Sequence, residues 1–336
     1  MELTVLDPRT GETVTRIPLA GPAECDAAIG RARRAFPQWA RTPAAERAAA
    51  LSAAADAVAS AAEELADWNE RETGKPHDDA LGGVEAAVGT LRQYAQLGPV
   101  HRGRSLLGGW GSTDLMLPEP RGVVALLTPW NDPIAVAAGL IGAAVVTGNT
   151  VVHKPSERCP GTGRRFADLV ASCLPDGVLE TVDGDAAAGA RLAEAPDVDV
   201  VAHVGSSTTG RAIARVCADR GAKALLENGG NDALIVDDGV APAWRRKRPP
   251  PAPSPTPGRS VSPWSASMWW PRRPTHSSAR SPTRRGAGRT GSVRSSTNGI
   301  ATTCTVMSPT RWPAARGRWW AASRGRGPER SIRPPC

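Results

Sequence analysis

After Trp244 the chain contains no Leu, Phe, Tyr, Asp or Gln. A packed interior needs bulky apolar side chains at regular spacing, so this break confines the folding domain to the residues before it. Charge changes at the same place. Lys and Arg number 22 against 32 Asp and Glu up to Trp244, and 19 against a single acid, Glu329, beyond it. The net charge of +8 is therefore a property of the tail and says nothing about partners of the front. The expected organisation is a folded domain over residues 1–242 and a disordered, basic Pro/Arg/Ser-rich tail over 243–336.

The tail also carries a codon signature. It consists almost wholly of Pro, Arg, Ser, Ala, Thr, Gly, Trp and Cys, residues whose codons have G or C at the second base. A gene with G or C at most third positions, read one nucleotide late, yields this set. Reading backwards, Ser254-Pro255-Thr256-Pro257-Gly258-Arg259 is compatible with an original Phe-Thr-Asn-Ala-Gly-Gln. Ser260 then fits Ile or Val, Val261 fits Cys, and Trp264-Ser265-Ala266 fits Val-Glu-Arg. A frameshift near Trp244 accounts for the composition better than a natural Pro/Arg-rich linker does.

In the front, Asp7 to Glu12 reads as a turn between two extended runs. Ala-rich helices follow from Pro22 to Asn69, interrupted at Pro37 and Pro43, and Gly74 and Pro76 stop a helix. Residues near Arg104 to Val123 read as a protruding β-hairpin. From there strands alternate with helices: Val123–Leu127, Pro133–Val146, Thr150–Lys154, Gly161–Cys173, then strands at Val178–Val182 and Val198–Val204. A helix over Gly210–Gly221 and extended runs at Ala224–Glu227 and Ala233–Val236 complete the pattern. This order gives an α/β fold, an open parallel Rossmann-like sheet with flanking helices. Cys25, Cys159, Cys173 and Cys217 follow no metal-ligand spacing and read as isolated buried thiols, so no metal is expected. The absence of a charged-then-apolar leader and of an apolar run long enough for a bilayer points to a cytoplasmic protein without membrane contact.

Four islands carry the chemistry: Thr128-Pro129-Trp130-Asn131-Asp132-Pro133, Gly148 to Glu157, Gly205-Ser206-Ser207-Thr208-Thr209-Gly210, and Leu226-Glu227-Asn228-Gly229-Gly230. In this order they resemble the aldehyde dehydrogenase superfamily, with weaker matches at Asp7 to Gly11 and Glu72 to Pro76. The decoded Phe-Thr-Asn-Ala-Gly-Gln-(Ile/Val)-Cys is similar to that family's nucleophile motif and ends at position 261.

The resemblance implies oxidation of a small-molecule aldehyde with NAD(P). A cysteine thiolate attacks, hydride leaves for the nicotinamide, and water activated by a carboxylate releases the acid. It implies an oxyanion donor at Asn131, for which helix capping is the plainer alternative, and a general base at Glu227, for which a surface strand-end glutamate is. Asn228 and Asn231 depart from the family's usual Leu and Lys beside that base. Lys154 and Glu157 would contact the adenosine ribose, and the Glu157 carboxylate would repel a 2′-phosphate, favouring NAD over NADP. Ser206 lies in a Gly-Ser turn before a helix, suited to a diphosphate or serving as an ordinary N-cap. Thr128, Trp130, Ser156, Gly205 and Gly210 complete the expected cofactor set, and a homo-oligomer is implied. Cys304 has no motif around it and receives no catalytic role.

With Val261 where the thiolate belongs, the chain reads as a dehydrogenase by descent without turnover. Two alternatives stand beside this: an NAD-binding pseudoenzyme, and a basic tail that binds nucleic acid through its Arg, Lys and Trp residues.

Overall fold

The computed structural model describes residues 2–230; the tail, the extended run expected at Ala233–Val236 and the decoded motif lie outside the described residues. Strands β1 (Glu2–Leu6) and β2 (Thr13–Pro18) pair antiparallel. The expected turn between them closes on Asp7, whose carbonyl accepts from Gly11 N at 2.8 Å while Gly11 takes φ 75°.

Helices α1 (Pro22–Arg41), α2 (Ala44–Ser60), α3 (Ala62–Thr73) and α4 (His77–Leu97) follow. Pro43 does separate two helices, but Pro37 does not: it sits inside α1. The ring costs one backbone hydrogen bond there, and the turn beyond it is held by Trp39, which is buried and donates from Nε1 to the Val145 carbonyl at 3.0 Å. Gly74 ends α3 at φ 73°, as expected. Helix α4 has no counterpart among the expected elements, yet Ala80, Val84, Ala87, Val88 and Leu91 form a buried helical stripe.

Strands β3 (Arg104–Leu106) and β4 (Asp114–Met116) form the hairpin, shorter than expected, with every strand residue exposed. The main sheet comprises β5 (Val123–Leu127), β6 (Thr150–Lys154), β7 (Leu179–Thr181), β8 (Val200–Val204) and β9 (Lys223–Glu227), in spatial order β7-β6-β5-β8-β9, all parallel. The connecting helices are α5 (Pro133–Val146), α6 (Pro160–Ala171), α7 (Ala186–Glu194) and α8 (Ser207–Arg220). Helix α7 was not among the expected elements; Asp185 caps it by accepting from Ala187 N at 2.8 Å.

β5 and β6 are buried at every residue, as parallel strands covered on both faces must be. One core layer joins α2, α4, α5 and α6 through Leu51, Val84, Ile141 and Phe166; the other joins α1, α7 and α8 through Ile29, Leu192 and Ile213. Cys25, Cys159 and Cys217 are buried free thiols, but Cys173 is only half-buried. Among the described residues no helix is long and apolar enough to cross a membrane.

Candidate active site

The chain runs from β5 outward to β6 and β7, then returns across β5 to place β8 and β9 on its other side. Connections leaving β5 and β8 therefore diverge, and a crevice opens at the carboxyl ends of those strands, where open α/β sheets bind their ligands. A cleft of about 800 Å³ lies there.

Each expected island delivers residues to it from a different strand end. Thr128, Trp130 and Asn131 follow β5; Lys154 ends β6, and Ser156 and Glu157 follow it; Gly205 and Ser206 follow β8; Glu227 ends β9. Gly210 is the exception. It lies in the first turn of α8 facing Asn228, and a Cβ there would come within 1.9 Å of Asn228 Oδ1, so it sets helix-to-loop packing rather than lining the cleft.

Asn131 does not cap α5. The N-cap is Asp132, whose carboxylate makes no cap hydrogen bond and pairs with Lys75 Nζ at 3.2 Å. Ser206 does cap α8, accepting from Thr209 N at 3.1 Å, and the amino end of that helix opens on the cleft. The capping serine and the anion-friendly helix terminus are thus one feature.

Lys154 has a nearly buried side chain and donates to the carbonyls of Pro155 at 2.7 Å and Gly184 at 2.8 Å. Burial lowers its pKa, and the Glu157 carboxylate 3.6 Å away opposes that shift. Behind it, His153 is fully enclosed and shares a 2.9 Å hydrogen bond with Thr128 Oγ1; burial pushes its pKa to about 3, so the ring is neutral.

Cys159 sits beside the cleft, 3.9 Å from the Trp130 carbonyl, and its burial raises the thiol well above its usual pKa. A thiol held protonated is a poor nucleophile, so Cys159 does not replace a catalytic cysteine. The helix above it is anchored by Glu72, whose carboxylate accepts from Gly161 N, Thr162 N and Thr162 Oγ1 at 2.9, 2.8 and 2.7 Å.

Sequence reasoning missed the cleft's apolar wall, Gly189 and Ala193 of α7 with Ala212 and Ile213 of α8, and it missed Arg158 and His203. The wall had no motif to announce it. Arg158 stacks 5.0 Å over the Trp130 ring, a pairing visible only in three dimensions.

A family model for the aldehyde dehydrogenase family matches residues 1–241. N-succinylglutamate 5-semialdehyde dehydrogenase of Sphingopyxis alaskensis is 36% identical over 243 residues, covering 70% of this chain and 49% of that protein. Betaine aldehyde dehydrogenase 1 of Oryza sativa is 35% identical over 249 residues, covering 71% and 49%. The solved NAD+ complex of an aldehyde dehydrogenase from Bacillus cereus superposes with a TM-score of 0.69 at 32% identity, covering 71% of this chain and 50% of that one. The chain thus spans about half the length of the curated relatives it matches.

Proposed function

The chain belongs to the aldehyde dehydrogenase family, and from that membership we propose that residues 1–242 are the NAD-binding part of an enzyme that oxidises an aldehyde to a carboxylic acid. The observation that carries this reading is the convergence of Asn131, Lys154, Glu157, Ser206 and Glu227 on one crevice at the sheet's switch point.

The cleft's chemistry fits a dinucleotide. The apolar slot between α7 and α8 suits an adenine ring, and the α8 amino end suits the diphosphate. The Lys154 ammonium and Glu157 carboxylate suit ribose hydroxyls, and the carboxylate disfavours a 2′-phosphate, so NAD is the cofactor rather than NADP. Bound there, NAD supplies a hydride acceptor. The protein's own part falls to Asn131, whose amide donates to the oxygen of the attacked carbonyl, and to Glu227, which takes a proton from water during release of the acid.

Position 261, where the family's spacing from Glu227 places the nucleophile, holds Val. An aliphatic side chain cannot attack a carbonyl, so the chain as it stands binds NAD without turning over aldehyde. The tail from 243 is an out-of-frame extension in this reading. The homo-oligomer typical of the family belongs to a chain that carries the remaining half.

Calorimetric titration tests this. NAD is expected to bind saturably and more tightly than NADP, Glu157→Gln is expected to narrow the difference, and no steady NADH formation from aldehydes is expected. Absence of saturable NAD binding would overturn the cofactor assignment. NADH production at ordinary dehydrogenase rates would overturn the loss of turnover.

A further inference from the structure

The Glu72 to Pro76 segment supplies no residue to the cleft, yet it is buried from Glu72 through Lys75. Its charged side chains reach instead to the amino ends of the two helices that leave the cleft. Glu72 takes that of α6. Lys75 takes that of α5: only 8% of its side chain is exposed, and Nζ donates to Asp132 Oδ1 at 3.2 Å, its one partner among the described residues. A buried ammonium is costly without a partner, so a lysine kept here is kept for its charge. The turn that presents it is set by Gly74 at φ 73° and by Lys75 N, which donates to Thr73 Oγ1 at 3.2 Å.

An aspartate at an N-cap ordinarily accepts from the first amides of its own helix. Asp132 makes no such bond. It is turned to Lys75, and α4 closes on it there, since a Cβ at Gly83 would lie 3.0 Å from Asp132 Oδ1. Neighbouring side chains therefore part: Asn131 lines the cleft and Asp132 does not. No hydrogen bond among the described residues holds the Asn131 amide, so its aim follows from its backbone, and the adjacent residue is the anchored one. We propose that Lys75 is a positioning residue: its ion pair with Asp132 tethers the β5–α5 loop from outside the cleft and so holds the Asn131 amide toward the place where an oxyanion develops. The proposal rests on the reading of Asn131 and the cofactor cleft given above.

The full chain, labelled with 15N-asparagine, tests this by the side-chain amide signals of Asn131, assigned through their loss in Asn131→Asp. Lys75→Met, which fills similar space without charge, is expected to shift those signals, and Lys75→Arg is expected to leave them near the parent's. Asp132→Asn removes the same ion pair from its more exposed end and should reproduce the Lys75→Met shift; it serves alone if Lys75→Met fails to fold. In the frame-restored chain, Lys75→Met is expected to slow single-turnover NADH formation about tenfold, with the KM for NAD within about twofold of the parent's. In an Asn131→Ala background it should slow nothing further, because two residues acting through one amide are not additive. Unmoved Asn131 signals in Lys75→Met and Asp132→Asn, with NAD still bound, would overturn the proposal alone. So would a Lys75→Arg chain that behaves as Lys75→Met does, or equal slowing by Lys75→Met with and without the Asn131 amide, since the lysine would then be structural. A parent chain that binds no NAD would overturn the function on which the proposal rests, and the proposal with it.

Discussion

Replacing Glu72 by Ala should unfold the domain at a markedly lower temperature, although the residue is remote in sequence from the helix it serves. Its carboxylate accepts three hydrogen bonds at the start of α6, from two backbone amides and one hydroxyl, and Thr162 is fully buried. In Glu72→Ala these donors lose their acceptor where water has little access. At about 1–3 kcal/mol per unsatisfied buried group, less the relief of no longer burying a carboxylate, the net loss is about 3 kcal/mol. For a domain of this size that corresponds to roughly 6–12 °C in Tm. Glu72→Gln keeps one acceptor oxygen and should lose about half as much. Burial pushes the Glu72 pKa up, with the three donors opposing it. The folded state therefore holds this proton to higher pH than the unfolded chain does. Stability from this residue is highest below the unfolded value of about 4.3 and declines as pH rises through the folded one. The gap between parent and Glu72→Gln should accordingly narrow with rising pH. Calorimetric melts of the three proteins at several pH values check both claims. A Glu72→Ala loss under about 1 kcal/mol, or a gap that widens with pH, would refute the reasoning.

His153, held neutral with a pKa of about 3, binds a proton more readily in the unfolded chain. Its contribution is therefore intact above about pH 6.5 and falls as pH drops toward 3. His153→Leu, which strands the Thr128 hydroxyl, should be about 1 kcal/mol less stable than the parent at pH 8 and more stable below about pH 5, as read by urea titration. Gly163→Ala should cost about 1–3 kcal/mol in the same assay, because its new Cβ would lie 2.3 Å from Pro155 Cβ. Restoring the reading frame near codon 244 should return aldehyde oxidation, and Glu227→Gln in that background should give a burst of NADH followed by little turnover in rapid-mixing kinetics. Steady turnover equal to the repaired parent would remove Glu227 from the reaction.

Much of this architecture was legible in the sequence because parallel strands buried on both faces read as continuous apolar runs. Val123–Leu127 and Thr150–Lys154 were located to the residue for that reason. Helices α4 and α7 escaped although their apolar spacing is helical, since neither carries a motif and Ala supplies much of the buried face. Pro37 misled because the tertiary anchor beyond it, Trp39 on the Val145 carbonyl, has no local signature. In the cleft, the island residues were recognisable as words in order. His203 was not, because no motif surrounds it and only the pairing of β8 with β5 brings it to the cleft. Gly210 belonged to an island yet packs against Asn228 instead.

The strand order has a consequence for how the domain assembles. β5 and β6 are joined by one helix and can meet early, whereas Val124 must await Val200 before β8 docks. Loop closure over that longer stretch is the slower event, so the β5–β8 seam is a late contact in folding. The crevice exists only once that seam has closed. A molecule held in it therefore grips the native state and leaves the early βαβ unit untouched, lengthening the domain's lifetime by slowing unfolding while hardly changing the rate at which the chain finds its fold.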